Sequence, residues 1–204
     1  MKPFKALSLV VLLILSQLTG QAQSCAISCS TNMIITADNG QEGAIVKIVP
    51  AGTAGECGTV SYFPASGTFF RIGSHSVTVT SSTGEKCSFT VTVTDNESPL
   101  LSAVTLSSNR LWPASNRMKN VAVNYTTSDN AQDVTSVLSV SSNDFASNTR
   151  DWEIVNNHLV RLKSSRLENG EARIFTIVVT SSDEAGNRTT RTTSIAVSET
   201  MVAL

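Results

Sequence analysis

The stretch Gly84–Pro99, GEKCSFTVTVTDNESP, constrains this chain more than any other. Within it Phe89, Val91 and Val93 alternate with Thr90, Thr92 and Thr94. Period-two alternation gives a strand with one buried face and one wet face. The strand leaves through Asp95-Asn96-Glu97 into Ser98-Pro99, and a proline there ends a strand and hands the chain on. The stretch reads as the last strand of one small β-domain, with a second domain after it.

Short β-type runs separated by turn residues fill the first half. Met33–Thr36 leads into Asp38-Asn39-Gly40, Ala44–Val49 stops at Pro50-Ala51-Gly52, and Thr59–Phe63 stops at Pro64-Ala65-Ser66-Gly67. Ser76–Thr80 then meets the turn at Thr83-Gly84-Glu85. No segment holds a 3.6-residue period long enough for a helix, and regular short strands predict a β-sandwich.

The second half repeats the ending of the first. Ser76-Val77-Thr78-Val79-Thr80-Ser81-Ser82 aligns with Thr176-Ile177-Val178-Val179-Thr180-Ser181-Ser182 at an offset of 100 residues, each followed by a turn and a terminal alternating strand. Matching ends predict two sandwiches of one architecture. Further strands are expected at Leu101–Leu106, Met118–Thr127, Val134–Ser141, Trp152–Val155, His158–Lys163 and Arg191–Val197, with a tight hairpin cornered on Asn156-Asn157. The expected fold class is all-β: two tandem immunoglobulin-like β-sandwiches after a signal peptide. The divisions are 1–22 leader, 25–97 first sandwich and 98–199 second sandwich.

Lys2 and Lys5, an apolar run from Ala6 to Leu18 and the small-x-small site Gly20-Gln21-Ala22 make the leader a secretory signal, cleaved after Ala22. The apolar run is shorter than the ~20 residues a spanning helix needs. An uncleaved anchor is the bland alternative, and Gln23-Ser24 before Cys25 argues against a lipoprotein. Removing Lys2 and Lys5 from the 15 basic side chains leaves 13 against 16 acidic ones, a net charge of −3. That balance argues against nucleic acid or an anionic membrane as partner. No second long apolar run follows, so no integral membrane segment is expected in the mature chain.

Export makes Cys25, Cys29, Cys57 and Cys87 a disulfide question, and four cysteines allow three pairings that spacing alone does not choose between. A zinc site is disfavoured, because no second close pair follows Cys25-x-x-x-Cys29.

Pro64-Ala65-Ser66-Gly67-Thr68-Phe69-Phe70-Arg71-Ile72-Gly73, the Val77/Val79 strand and Cys87–Asp95 together resemble a hyalin repeat (HYR) domain. The resemblance covers nearly all of the first half and implies an immunoglobulin-like sandwich of an extracellular, adhesion-associated kind. Two departures stand out. The hairpin before the last strand is shortened to Ser82–Lys86, and Gln41-Glu42-Gly43 stands where many relatives carry a cysteine. The resemblance implies that Cys29 and Cys87 staple the ends of the repeat. Cys57 then lacks its usual partner, which the additional Cys25 supplies. Leu111-Trp112-Pro113, Asp151–Val155 and His158–Leu162 resemble an immunoglobulin-like module that accompanies such repeats in bacterial secreted proteins.

No motif supports catalysis: there is no His-Glu-x-x-His, no Gly-x-Ser-x-Gly, no Ser-x-x-Lys and no phosphate-cradling loop. His75 and His158 read as edge residues rather than bases, and abundant serine lacks a partnered base. Trp112 and Trp152 are candidates for a sugar- or peptide-binding platform, with packing over the sandwich as the plainer role. Calcium is the candidate ion, through Asp95, Asn96 and Glu97 at the linker with Asp129, Asp183 and Asn187 as further ligands, since Ca²⁺ takes hard oxygens. The plainer role of these residues is turn formation. Arg161 and Lys163, with Arg166 and Arg173 nearby, suggest a basic strand face for an acidic glycan, or a solvated one. Asn124-Tyr125-Thr126 and Asn187-Arg188-Thr189 fit the N-glycosylation pattern.

The expectation is a secreted or cell-surface, non-enzymatic binding or adhesion module, its partner an extracellular protein or a glycan. The alternatives are a carbohydrate-binding module and a purely structural spacer. Contacts are expected from the polar loops at Thr53–Gly58, Asn143–Arg150 and Arg166–Gly170.

Overall fold

The computed structural model describes residues 24–131, 133–144 and 151–199. The leader expected at 1–22 and most of the 143–150 loop lie outside the described residues. Among those described, every helix-or-strand element is a strand, so no helix is long and apolar enough to cross a membrane.

The first half contributes β1 (Ala26–Ser28), β2 (Met33–Thr36), β3 (Gly43–Val46), β4 (Gly52–Ala54), β5 (Val60–Phe63), β6 (Thr68–Arg71), β7 (Gly73–Ser81) and β8 (Lys86–Thr94). One layer has the order β2-β8-β7-β5; β3 pairs with β6, and β1 with β4. β8 runs parallel to β2 and antiparallel to β7. Its inward residues Phe89, Val91 and Val93 are buried with Val77 and Val79 of β7 and with Ala44, Val46 and Phe70 of the β3–β6 pair. Each such side chain, taken from water, contributes about 1.5–3 kcal/mol. The threonines between them stand on the other face, where branched side chains suit a pleated surface.

Gly43 opens β3 where the backbone of β6 passes close by. A Cβ there would lie 2.1 Å from the carbonyl oxygen of Phe70 and 2.7 Å from the ring of Phe69. Backbone approach this close leaves no room for a side chain at that position.

The second half contributes β9 (Leu100–Leu101), β10 (Thr105–Leu106), β11 (Arg110–Leu111), β12 (Met118–Asn124), β13 (Thr127–Ser128), β14 (Thr135–Ser142), β15 (Trp152–Asn156), β16 (Leu159–Lys163), β17 (Ile174–Ser182) and β18 (Arg188–Val197). The two layers have the orders β11-β18-β17-β14 and β10-β12-β16-β15, and β9 pairs with β13. β18 runs parallel to β11 and antiparallel to β17. Both halves therefore place the last strand between an early parallel strand and the penultimate antiparallel one. The 100-residue offset is one of structure as well as sequence: Val77, Val79 and Ser81 of β7 are buried, as are Ile177, Val179 and Ser181 of β17. The fold is all-β, two tandem immunoglobulin-like β-sandwiches.

The second sandwich has no cysteine and relies on packing. Its cluster holds 12 buried apolar residues against nine in the first, including Phe175, Leu111 and Leu162 at 2% exposure or less. The structure departs from the expected strands where the chain changes layers. The run expected over Leu101–Leu106 splits into β9 and β10, and the run over Met118–Thr127 stops at Asn124 before resuming as β13, because the pieces pair in different sheets. The β15–β16 corner falls on Asn157-His158, one residue later than expected, because a register shift between Ile154 and Asn156 takes up a residue.

Candidate functional site

Three of the residues singled out for calcium, Asp95, Asp129 and Asp183, converge at the junction of the two sandwiches. Asp95 follows β8, Asp129 follows β13, and Asp183 opens the turn between β17 and β18. One carboxylate oxygen from each lies within 4.8 Å of the other two. Asn187 braces the group: its backbone N–H and side-chain amide donate to Asp183 at 2.8 and 2.9 Å, and the same amide reaches the Asp95 carbonyl at 3.5 Å. The first-half Asp95 is thereby tied to a second-half hairpin. A further tie crosses the junction where Asn130 Nδ2 donates to the Gln41 carbonyl at 3.0 Å. Asn130 Oδ1 is buried and has no donor among the described residues.

Two of the six expected ligands do not join the cluster. Glu97 Oε2 instead accepts from the Gly40 amide at 2.9 Å, while Asn96 is exposed. A shallow concavity of about 370 Å³ opens beside them, lined by Gly40, Glu97, Leu100, Asp129 and Asn130 among others.

Burial raises the Asp129 carboxyl above its ordinary value near 3.8, and the charges of Asp95 and Asp183 push the same way against the lowering effect of the Ala131 N–H. A raised folded-state value favours the protonated form, so this contribution to stability is present below pH 3.8 and lost as pH rises through the raised value. At neutral pH the ionised Asp129 is thus a net cost when no cation is present. Asp129→Asn is expected to stabilise the cation-free protein by about 0.5 kcal/mol at pH 7, solvent screening keeping the gain small. The gain should shrink toward pH 4, as read by melting in chelator across that range.

The cysteines pair as Cys25–Cys57 and Cys29–Cys87, with Cα separations of 4.6 and 5.8 Å. The tryptophans take separate jobs. Trp152 packs edge-on against Phe175 at 6.4 Å and belongs to the rim of the core. Trp112, 41% exposed, donates through Nε1 to the Glu199 carbonyl at 3.2 Å.

The basic face does not remain a basic face. Arg161 pairs with Glu153 at 2.9 Å, Lys163 with Asp151 at 3.0 Å and Arg166 with Glu199 at 3.1 Å. Arg173 is buried, in ion pairs with Asp144 and Asp151 and 5.9 Å above the Phe175 ring. Each cation already faces a carboxylate, which removes the net positive field that an acidic glycan needs. This network was not legible in the sequence, where Asp151 and Arg173 carry no motif and sit 22 positions apart.

The two histidines also find local roles. His75 Nε2 lies 2.7 Å from the Arg71 carbonyl, with its ring edge-on to Phe70. His158 stacks on Tyr125 with centroids 4.5 Å apart, and its Nδ1 lies 3.1 Å from the Val123 carbonyl. Neither has a serine or carboxylate partner among the described residues.

No protein-family model and no curated protein matches the sequence. Solved structures do. Sidekick-1 immunoglobulin domains 1–5 are 14% identical with a TM-score of 0.47, over 88% of this chain and 40% of that one. Drosophila OTK extracellular domains 3–5 are 11% identical with a TM-score of 0.42, over 86% and 61%. Human mucin-like protocadherin EC1-2 is 12% identical with a TM-score of 0.39, over 86% and 97%. This chain spans 61% of the OTK structure and about half of the protocadherin gamma B2 structure, at 47%.

Proposed function

We propose that the mature chain is a secreted or cell-surface, non-enzymatic binding module, in which two sandwiches are held as one body so that surface groups of both face a partner at fixed spacing. The observation that carries this reading is the tied junction: Asn187 to Asp95, and Asn130 to Gln41, bond across it. Groups already fixed in relative position lose less entropy on binding than groups on a swivelling linker. The resemblance of the first half to hyalin repeats supports an extracellular setting, and so do two disulfides, which persist in oxidising compartments. The test is retention of cells or extracellular matrix on beads coated with the mature chain. Retention is expected, and it should fall by about tenfold when Asn130→Ala and Asn187→Ala loosen the junction. Absence of retention would overturn the reading.

In the same reading the junction takes Ca²⁺ through Asp95, Asp129 and Asp183. The residues fit a hard cation: three mutually repelling carboxylates stand together, with a buried amide oxygen on the neighbouring Asn130 that lacks a donor. Bound calcium would cancel the repulsion that burdens Asp129. Millimolar calcium is expected to stabilise the protein by about 1 kcal/mol over chelator, the linkage value for extracellular sites of modest affinity. Asp129→Asn should abolish the response. A melting temperature indifferent to both calcium and chelator would remove the ion from the account.

A further inference from the structure

A second concavity, of about 370 Å³, sits on the second sandwich between the Tyr125–Thr127 segment, the start of β14 and the β15–β16 corner. Its lining has an unusual combination. Tyr125 and His158 form a stacked pair tilted by 26°, the Tyr125 hydroxyl being held by the Asn157 carbonyl at 2.8 Å. Around this pair stand Thr126, Thr127, Ser136 and Asn157, with Val134 as the apolar patch. Among the described residues, no Asp, Glu, Lys or Arg lines it.

Part of the lining is already bonded, the Tyr125 hydroxyl to the Asn157 carbonyl and the Ser136 hydroxyl to Ser181 Oγ at 3.0 Å, and part is not. The Val123 carbonyl can only accept, so the contact from His158 places a proton on Nδ1, and Nε2 has no partner among the described residues. Among the described residues, the Thr126 and Thr127 hydroxyls and the Asn157 carboxamide have no partner. Nearby backbone donors are occupied: Val123 N–H by His158 O, and Thr126 N–H by Ser102 Oγ at 2.9 Å. The site therefore offers side-chain hydroxyl, amide and imidazole groups beside a ring stack, and it borders β14, the edge strand of its sheet, so an extended peptide is the competing ligand that the test must separate.

We infer that this concavity is a binding site for one unit of a neutral glycan. A pyranose has an apolar C–H face that packs on aromatic rings and equatorial hydroxyls that both donate and accept, which suits these groups. With no charged side chain among the described residues of the lining, uronic or sulfated sugars are disfavoured, since their charge would be desolvated without a counter-charge. The inference deepens the binding-module reading by naming a ligand class for one site, but its test does not depend on the junction.

The experiment is an amide chemical-shift titration of the ¹⁵N-labelled mature chain with maltotriose, mannotriose and xylotriose, using trigalacturonic acid and an extended peptide as comparisons. Saturable shifts confined to Tyr125–Thr127 and Asn157–His158 are expected with at least one neutral sugar. His158→Ala and Thr126→Val should each weaken binding by about tenfold. Thr126 is exposed, so that variant should leave the melting temperature unchanged. The inference is overturned by no shifts with any neutral sugar, by shifts centred elsewhere, by variants that bind as well as the parent, or by binding restricted to the acidic sugar or the peptide. Sugar binding without bead retention would refute the two-sandwich reading alone, and retention without sugar binding would refute this site alone.

Discussion

Replacing Cys29 and Cys87 together by alanine is expected to lower the stability of the first sandwich by about 4 kcal/mol. The bridge joins residues 58 apart, so it confines most of that half to one loop in the unfolded chain. The Cys25–Cys57 bridge, with a separation of 32, should contribute somewhat less. The first sandwich has the smaller core and no tryptophan. Small domains have only about 5–15 kcal/mol in hand, so losing one bridge brings this half close to unfolding at body temperature. Hydrogen exchange read by mass spectrometry separates the halves. Protection of β7 and β8 should collapse in the double variant while protection of β17 and β18 persists. Unchanged protection in β7 and β8 would mean that packing, not the bridge, holds the first half.

Asp151→Asn is expected to destabilise the second sandwich by about 3 kcal/mol. Asp151 faces two cations, Arg173 at 3.1 Å and Lys163 at 3.0 Å, and its own side chain is 9% exposed. Neutralising it leaves the buried Arg173 with Asp144 as its remaining carboxylate, while Arg173 Nε has no acceptor among the described residues. Removing one member of a buried ion network is costly because the other charges stay desolvated. Replacing Arg173 by methionine in the Asp151→Asn background should recover part of the loss, since it removes a stranded cation from beside Phe175. Chemical denaturation of the single and double variants gives the coupling. Simple additivity of the two substitutions would show that the network is not a unit.

The alternation of β8 and the Ser76/Thr176 repeat carried the fold, because burial on a pleated sheet writes its period directly into neighbouring residues. Layer switches did not show: Leu101–Leu106 has no breaker to mark where β9 leaves one sheet and β10 joins another. The junction was half legible. Asp95 announced itself beside Pro99, and Asp183 and Asn187 belong to a recognisable turn, but their convergence with Asp129 depends on how two sandwiches abut. Glu97 stands outside that cluster for the same reason, its oxygen accepting from Gly40 of a distant hairpin. The Tyr125–His158 concavity was hidden because its residues look like strand ends. A tyrosine that continues the Val121/Val123 face out of the sheet was the one available hint.

The account stands on two sandwiches moving as one body, and ¹⁵N relaxation of the full mature chain tests this most directly. Strand amides of β7 and β8 and those of β17 and β18 should report the same overall correlation time, fitted by a single diffusion tensor. Distinct correlation times for the two sets, each matching a domain tumbling alone, would contradict it.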